Sequence, residues 1–244
     1  MNNTPKLFFA TDFHGHYREL MGLMQTLYVH ADFQPERDTF VAGGDYAEGG
    51  PDSRQVIEWC MDMAAKHPHW VFLKGNHCDM LLDAVRHDSR IYHSFYQWWD
   101  QGGAATAASY LSAQPERSDY ERAIMQPADY LPAAHLDWLE ARPLIHETDR
   151  YLFVHAGLRP GLPLAAQTQE DLLWIREDFI QSDDAFGGKR VIAGHTAMKK
   201  PLVLPNKIMI DTMLHDRGQL TAAELRGPVP VFYFQEAVAG PWPD

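Results

Sequence analysis

Six short apolar runs are spaced along the chain, and each ends in a cluster of polar residues. Leu7–Ala10 runs into Asp12-Phe13-His14-Gly15, and Thr39–Ala42 into Gly43-Gly44-Asp45. Residues 70–73 run into Lys74-Gly75-Asn76-His77, and Tyr151–Val154 into His155-Ala156-Gly157. Arg190–Ala193 runs into Gly194-His195-Thr196, and residues 208–210 into Asp211-Thr212. Continuous apolar runs of this length predict strands buried on both faces, with loops at their carboxyl ends. Helical spacing fills the intervals. Leu20, Leu23, Met24 and Leu27 predict a helix over 19–28. Ser53 can cap one carrying Val56, Ile57, Cys60 and Met61, closed by Pro68. Leu172, Leu173, Ile175 and Phe179 predict a third helix over 171–180. The alternation argues for an α/β fold. Residues 79–141 depart from it. They are rich in Tyr, Trp and Ala, show no clear strand, and read as a helical insertion or cap within a single domain spanning 1–244. Two β-like runs, 219–225 and 229–234, are expected to close a sheet antiparallel.

Composition narrows the function classes. Of 244 residues, 45% are hydrophobic and 22% charged, which is ordinary for a globular chain. The net charge of −12 disfavours general binding to long nucleic acids or to anionic membranes. Two cysteines, Cys60 and Cys78, exclude a disulfide framework and suit a reducing compartment. Residues 1–10 carry too short an apolar run for a signal-peptide core, and no stretch approaches membrane-span length. The expectation is a cytoplasmic protein.

The strand ends carry the candidate chemistry. Asp12, His14, Asp45, Asn76, His77, His155 and His195 are all oxygen or imidazole donors. Loops at the carboxyl ends of strands converge on one edge of an α/β sheet. Asp12 and His14, at i and i+2 on an extended stretch, would point the same way and share an ion. Asp45 has two oxygens and could bridge to a second, for which Asn76, His155 and His195 supply neutral donors. This donor mix suits Mn, Fe, Co or Zn over Mg or Ca. Two such ions about 3.5–4 Å apart generate a hydroxide nucleophile and clamp a phosphoryl group. Taken singly each motif is weak: Asp-x-His is more often a turn, and a lone histidine after a strand is more often structural. Five in this order are specific. Cys78 reads as a small buried residue. Tyr92, Phe95, Tyr96, Trp98 and Trp99 read as the core of the cap or as a substrate groove.

The motifs Asp12-Phe-His-Gly15, Gly44-Asp-Tyr-Ala-Glu-Gly-Gly50, Gly75-Asn-His-Cys78, His155-Ala-Gly157 and Gly194-His195-Thr196 resemble those of the PPP-type (calcineurin-like) metallophosphoesterases. The stretches Phe153-Val-His-Ala-Gly-Leu-Arg-Pro-Gly161 and Asp171-Leu-Leu-Trp-Ile-Arg-Glu177 are similar to the bacterial branch, which holds serine/threonine protein phosphatases and symmetrical diadenosine tetraphosphatases. The resemblance covers about residues 6–225. It implies a β-sandwich flanked by helices around a dinuclear centre. One ion would be held by Asp12, His14 and Asp45, and the other by Asp45, Asn76, His155 and His195, with manganese the first expectation. His77 would be the general acid, Glu48 would orient it, and Arg176 would hold substrate phosphate. The chain departs from the family in three places. Glu48 stands where the family has aspartate, Gly49 where it has a phosphate-binding arginine, and Cys78 where it has glutamate. Arg54, Arg18, His16 and Lys74 are candidates to replace the arginine.

The expected function is hydrolysis of phosphate esters by a metal-activated hydroxide, as in serine/threonine protein phosphatases. Phosphorylated protein side chains and nucleotide polyphosphates such as diadenosine tetraphosphate compete as substrates. A different class of reading is a catalytically weakened, phosphate-binding regulatory module, to which the missing arginine lends support.

Overall fold

The computed structural model describes residues 4–86, 98–111, 129–212, 214 and 218–235. Ten short strands form two five-stranded sheets among these residues. In the first, β1 (Leu7–Ala10), β2 (Thr39–Ala42) and β3 (Val71–Phe72) run parallel, and β9 (Thr221–Glu224) and β10 (Val231–Phe234) extend it antiparallel beside β1. In the second, β5 (Tyr151–Val154), β6 (Arg190–Ala193) and β8 (Lys207–Met209) run parallel between antiparallel edges β4 (Ile145–Glu147) and β7 (Leu202–Val203).

The twofold period of each strand divides its side chains between two cores. Phe9, Val41, Tyr151, Phe153, Ile192, Ile208 and Ala223 face inward and meet between the sheets. The rings of Phe9 and Phe153 lie 5.7 Å apart across that layer. The alternate residues Phe8, Ala10, Phe40, Ala42 and Phe72 pack outward under α1 (Tyr17–His30) and α2 (Ser53–Lys66). Leu152, Val154, Val191, Ala193 and Met209 pack outward with Leu172, Ile175 and Phe179. The result is helix, sheet, sheet, helix, the β-sandwich flanked by helices.

Several local expectations change. Ser53 is the first residue of α2 and its hydroxyl meets Thr106 Oγ1 at 3.1 Å; Asp52 occupies the cap position. Residues 171–180 form two short helices, Gln169–Trp174 and Glu177–Ile180. An unbroken helix would put Arg176 four residues after Leu172 and three before Phe179, on the buried face. The break avoids burying an unpaired guanidinium there. Asn76 and His77 are the first residues of α3 (Asn76–Arg86), which follows β3 directly after Gly75. Among the described residues, the regular elements between β3 and β4 are all helical: α3, a π turn at Trp99–Gly103, α4 (Ala104–Tyr110) and α5 (Ala133–Glu140). Tyr92, Phe95 and Tyr96 lie outside the described residues. Trp98 is fully buried and joins the helix-side core. No helix among the described residues is long and apolar enough to cross a membrane.

Candidate active site

The parallel strands end on one side of the sandwich, and their next residues line a cavity of about 450 Å³. Asp12 and His14 follow β1, Asp45, Glu48 and Gly49 follow β2, His77 follows β3, and His195 follows β6. Gln101, Gly102, Arg176, Ala197 and Asp211 complete the wall. A larger, open groove of about 970 Å³ lies at the amino ends of β5, β6 and β8 and contains none of these groups.

The backbone here is unusual. Asp12, His14, Asp45, Glu48 and His195 all have positive φ, between 43° and 65°. Asp and His tolerate this left-handed region better than most residues. The turn replaces the extended geometry expected for Asp12 and His14, yet still leaves His14 Nε2 3.9 Å from Asp12 Oδ1 and 3.9 Å from Asp45 Oδ2. Gly75 and Gly194 permit the convergence, since a Cβ on either would fall 2.0 Å from Asp45 Oδ1 or 2.1 Å from Asp12 Oδ2.

Asp45 sits at the centre. Its Oδ1 accepts from His77 N at 2.9 Å, at the positive end of α3. Its Oδ2 lies 3.2 Å from His155 Nε2. Asn76 Oδ1 in turn lies 2.7 Å from His155 Nε2 and 2.9 Å from His195 Nδ1. Two donor groups therefore share Asp45: His14, Asp45 and His77 on one side, and Asp45, His155 and His195 on the other. Asp12 closes the first side and accepts from Thr11 Oγ1 at 2.7 Å and from His195 N at 3.2 Å.

This donor set fits divalent cations. His155 Nδ1 donates to Gly43 O at 2.8 Å, and His14 Nδ1 faces the carbonyls of Ala47 and Glu48 at 3.2 Å. Such carbonyls fix the ring so that Nε2 faces the carboxylates, as in metal-ligating histidines. Burial pulls His155 down, but Asp45 and Asp12 outweigh it and push the ring up to about 9. Burial raises Asp45, yet His155 and His77 hold it well below the ordinary carboxylate range. Asp12 is raised, chiefly by burial. Burial, His155 and Arg176 pull His195 down to about 2, leaving the neutral ring that ligation requires.

His77 lies within the first donor group and also faces Glu48. Its ring meets that of His14 edge-on at 4.8 Å, and its Nδ1 lies 3.3 Å from Glu48 Oε2. Burial lowers it, and Asp45 and Glu48 reverse this, pushing it up to about 9. Glu48 is itself raised by burial, against His77 and the Trp98 N–H. The Cys78 thiol is pushed up to about 12, first by burial and then by Asp45, which removes it as a nucleophile at neutral pH.

The pattern of motifs decides the family. A match to the calcineurin-like phosphoesterases runs over residues 5–219. The chain belongs to that family. It is a hydrolase of phosphate esters, and its family is one that implies divalent metal ions. It is 25% identical over 233 residues to the asymmetrical bis(5'-nucleosyl)-tetraphosphatase PrpE of Halalkalibacterium halodurans, with 86% of each chain covered. It is 27% identical over 220 residues to serine/threonine-protein phosphatase 1 of Salmonella typhimurium, covering 88% of this chain and 89% of that one. The fold matches a protein serine/threonine phosphatase of Saccharomyces cerevisiae with a TM-score of 0.64, at 13% identity over 98% of this chain and 82% of the other.

The candidates for the missing arginine fare differently. Arg54 turns away from the cavity: its Nε donates to Glu58 Oε1 at 2.8 Å on the exposed face of α2. Lys74 is buried against Glu140, His16 faces Glu19, and Arg18 is exposed. Arg176 is the one Lys or Arg lining the cavity among the described residues, with Nη1 donating to His195 O at 3.1 Å. Sequence reasoning missed four wall residues. Asp211 carried a signal, since it ends the sixth apolar run. Gln101, Gly102 and Ala197 carried none.

Proposed function

We propose that this cavity hydrolyses phosphate esters with two divalent ions. The position of Asp45 between the two donor groups supports this most directly. Asp12, His14 and Asp45 would hold one ion, and Asp45, Asn76, His155 and His195 the other. The oxygen and imidazole donors favour manganese, with iron, zinc or cobalt as alternatives. When bound, such ions polarise the phosphoryl group and lower the pKa of water. The chain's own groups do the rest. Arg176 holds phosphate oxygens at the cavity wall. His77 protonates the leaving oxygen, and Glu48 holds the His77 ring from its Nδ1 side.

The default substrate is a phosphorylated protein side chain. A second reading, a dinucleoside polyphosphate such as diadenosine tetraphosphate, draws support from Gly49 and from the single cationic side chain on the described wall. A terminal phosphate near two negative charges needs more positive contacts than an internal phosphate with fewer. The two buried cysteines, neither in a disulfide, accord with a cytoplasmic location. The test is a panel of p-nitrophenyl phosphate, bis-p-nitrophenyl phosphate, a phosphopeptide and diadenosine tetraphosphate, assayed with Mn²⁺. Hydrolysis of the phosphopeptide above the others supports the default, and preference for the dinucleotide supports the second reading. No turnover of any member, with both ions bound, points to the regulatory module instead.

A further inference from the structure

Glu48 is held from two sides, and only one of them belongs to the strand-end motifs. Its carboxylate is fully buried, with Oε2 3.3 Å from His77 Nδ1. Its Oε1 accepts from Trp98 Nε1 at 2.6 Å. Glu48 N donates to Thr106 Oγ1 at 3.0 Å, so the helical segment from Trp98 to Tyr110 grips both the backbone and the side chain of this residue. Arg54 N donates to Ser109 Oγ at 3.1 Å and continues the same contact onto α2. An indole N–H can only donate. It therefore commits Oε1 to accepting and leaves Oε2 facing His77 Nδ1 across an ion-pair distance, with no hydrogen bond made by either atom. A glutamate carries one more rotatable bond than an aspartate, and that bond needs a second anchor if the carboxylate is to stay in one place. Trp98 is itself locked, because Gly103 lies flat against its ring: a Cβ there would fall 2.5 Å from the indole.

We propose that Trp98 is a positioning residue for the reaction, acting through Glu48 on the orientation of His77. The proposal rests on the reading of His77 as the general acid. It makes the helical segment between β3 and β4 part of the catalytic apparatus rather than a cover over the core.

The test is Trp98→Phe, which keeps the buried ring and deletes the donor, compared with wild type and His77→Asn. Phenyl phosphate, whose leaving group needs a proton, and p-nitrophenyl phosphate, whose leaving group does not, are the substrates. General acids contribute roughly 10²–10⁴-fold, and loss of orientation should remove about ten-fold of this in kcat on phenyl phosphate, with KM changed by less than about two-fold. The effect on p-nitrophenyl phosphate should be several times smaller, and metal content should be normal. In a Glu48→Ala background Trp98→Phe should add nothing, because the two act as one unit. Equal losses on both substrates, no loss on either, or additive losses in the double variant would overturn the proposal. If Trp98→Phe does not fold, the indole N–H resonance of Trp98 in ¹⁵N-labelled protein decides: it should shift on Glu48→Ala, and an unmoved signal refutes the link. If His77→Asn itself leaves kcat intact or loses metal, the underlying reading of His77 fails, whatever Trp98 does.

Discussion

Arg176 offers the sharpest quantitative test of the site. It sits between the two short helices, with φ −129° and ψ −97°, and caps the second without using its side chain. Its removal therefore breaks no helix cap. Within the described wall it is the sole Lys or Arg, and one of its five N–H groups is spent on His195 O. The remaining fork can address two phosphate oxygens, a charge-assisted contact. Contacts of that class are worth about 1.5–3 kcal/mol. At 1.36 kcal/mol per decade, Arg176→Ala should lower kcat/KM by about ten- to a hundred-fold. Because no second cation among the described wall residues shares the load, the value should fall toward the upper end. Arg176→Lys should recover only part, since an ammonium keeps the charge without the planar fork. The assay is steady-state hydrolysis of p-nitrophenyl phosphate with Mn²⁺ at two ionic strengths, together with inhibition by inorganic phosphate. Arg176→Ala should weaken phosphate inhibition along with kcat/KM and flatten its salt dependence. A change below about two-fold in kcat/KM, with both ions present and the fold intact, refutes the assignment.

Three other outcomes follow from the geometry. Asp45→Asn preserves an acceptor for His77 N but removes the charge shared by the two donor groups, so metal analysis should show the content of both ions falling together; loss of one ion alone contradicts a bridging role. Gly49 has φ +99°, where a Cβ would make only ordinary contact with His14 at 3.8 Å but the backbone is strained, so Gly49→Ala should cost about 1–2 kcal/mol and lower Tm by about 2–8 °C, and an unchanged melting curve refutes this. Burial raises Asp38, but bonds from Arg37 Nε at 2.7 Å, Lys6 N at 3.0 Å and Gln34 N at 2.9 Å bring it below the usual 3.8. A lowered folded value stabilises fully above that pH and is lost as pH falls below it, so Asp38→Asn should flatten the acid limb of Tm against pH, and parallel limbs would exclude the contribution.

The buried parallel strands were the most legible part of the fold. Leu7–Ala10, Thr39–Ala42, Tyr151–Val154 and Arg190–Ala193 stand where the apolar runs place them, because burial on both faces leaves nothing but apolar residues between polar ends. The edge strands Ile145–Glu147 and Leu202–Val203 were not legible: they are two or three residues long, half-exposed, and carry no run to read. The break at Ile175 and Arg176 was hidden because every residue around it is compatible with a helix, and only the distance from Arg176 to His195 O shows what the break achieves. The strand-end donors were legible as a set, since oxygen and imidazole groups recur after each run. Their turns were not, since local spacing gives no hint of the sign of φ. The role of Trp98 depends on a contact fifty residues away in sequence, and an apolar ring in an aromatic stretch looks like core until its N–H is located.

The left-handed turns at Asp12, His14, Asp45 and His195 restrict how this centre can drift over generations. Such a turn admits Asp, Asn, His and Gly with little strain and resists β-branched residues. From an aspartate codon, asparagine, histidine and glycine are each one base away. The substitutions that the backbone accepts most readily are thus exchanges of one donor for another, or deletion of the donor. With ions held as proposed above, single changes would retune metal preference and leave the loops standing, whereas a valine at the same positions strains the turn itself. Glu48 is the exception, a longer side chain holding φ at +65° where aspartate would sit more easily. Its persistence depends on partners outside its own loop, so the helical segment that supplies Trp98 and Thr106 is free to vary only as far as that glutamate allows.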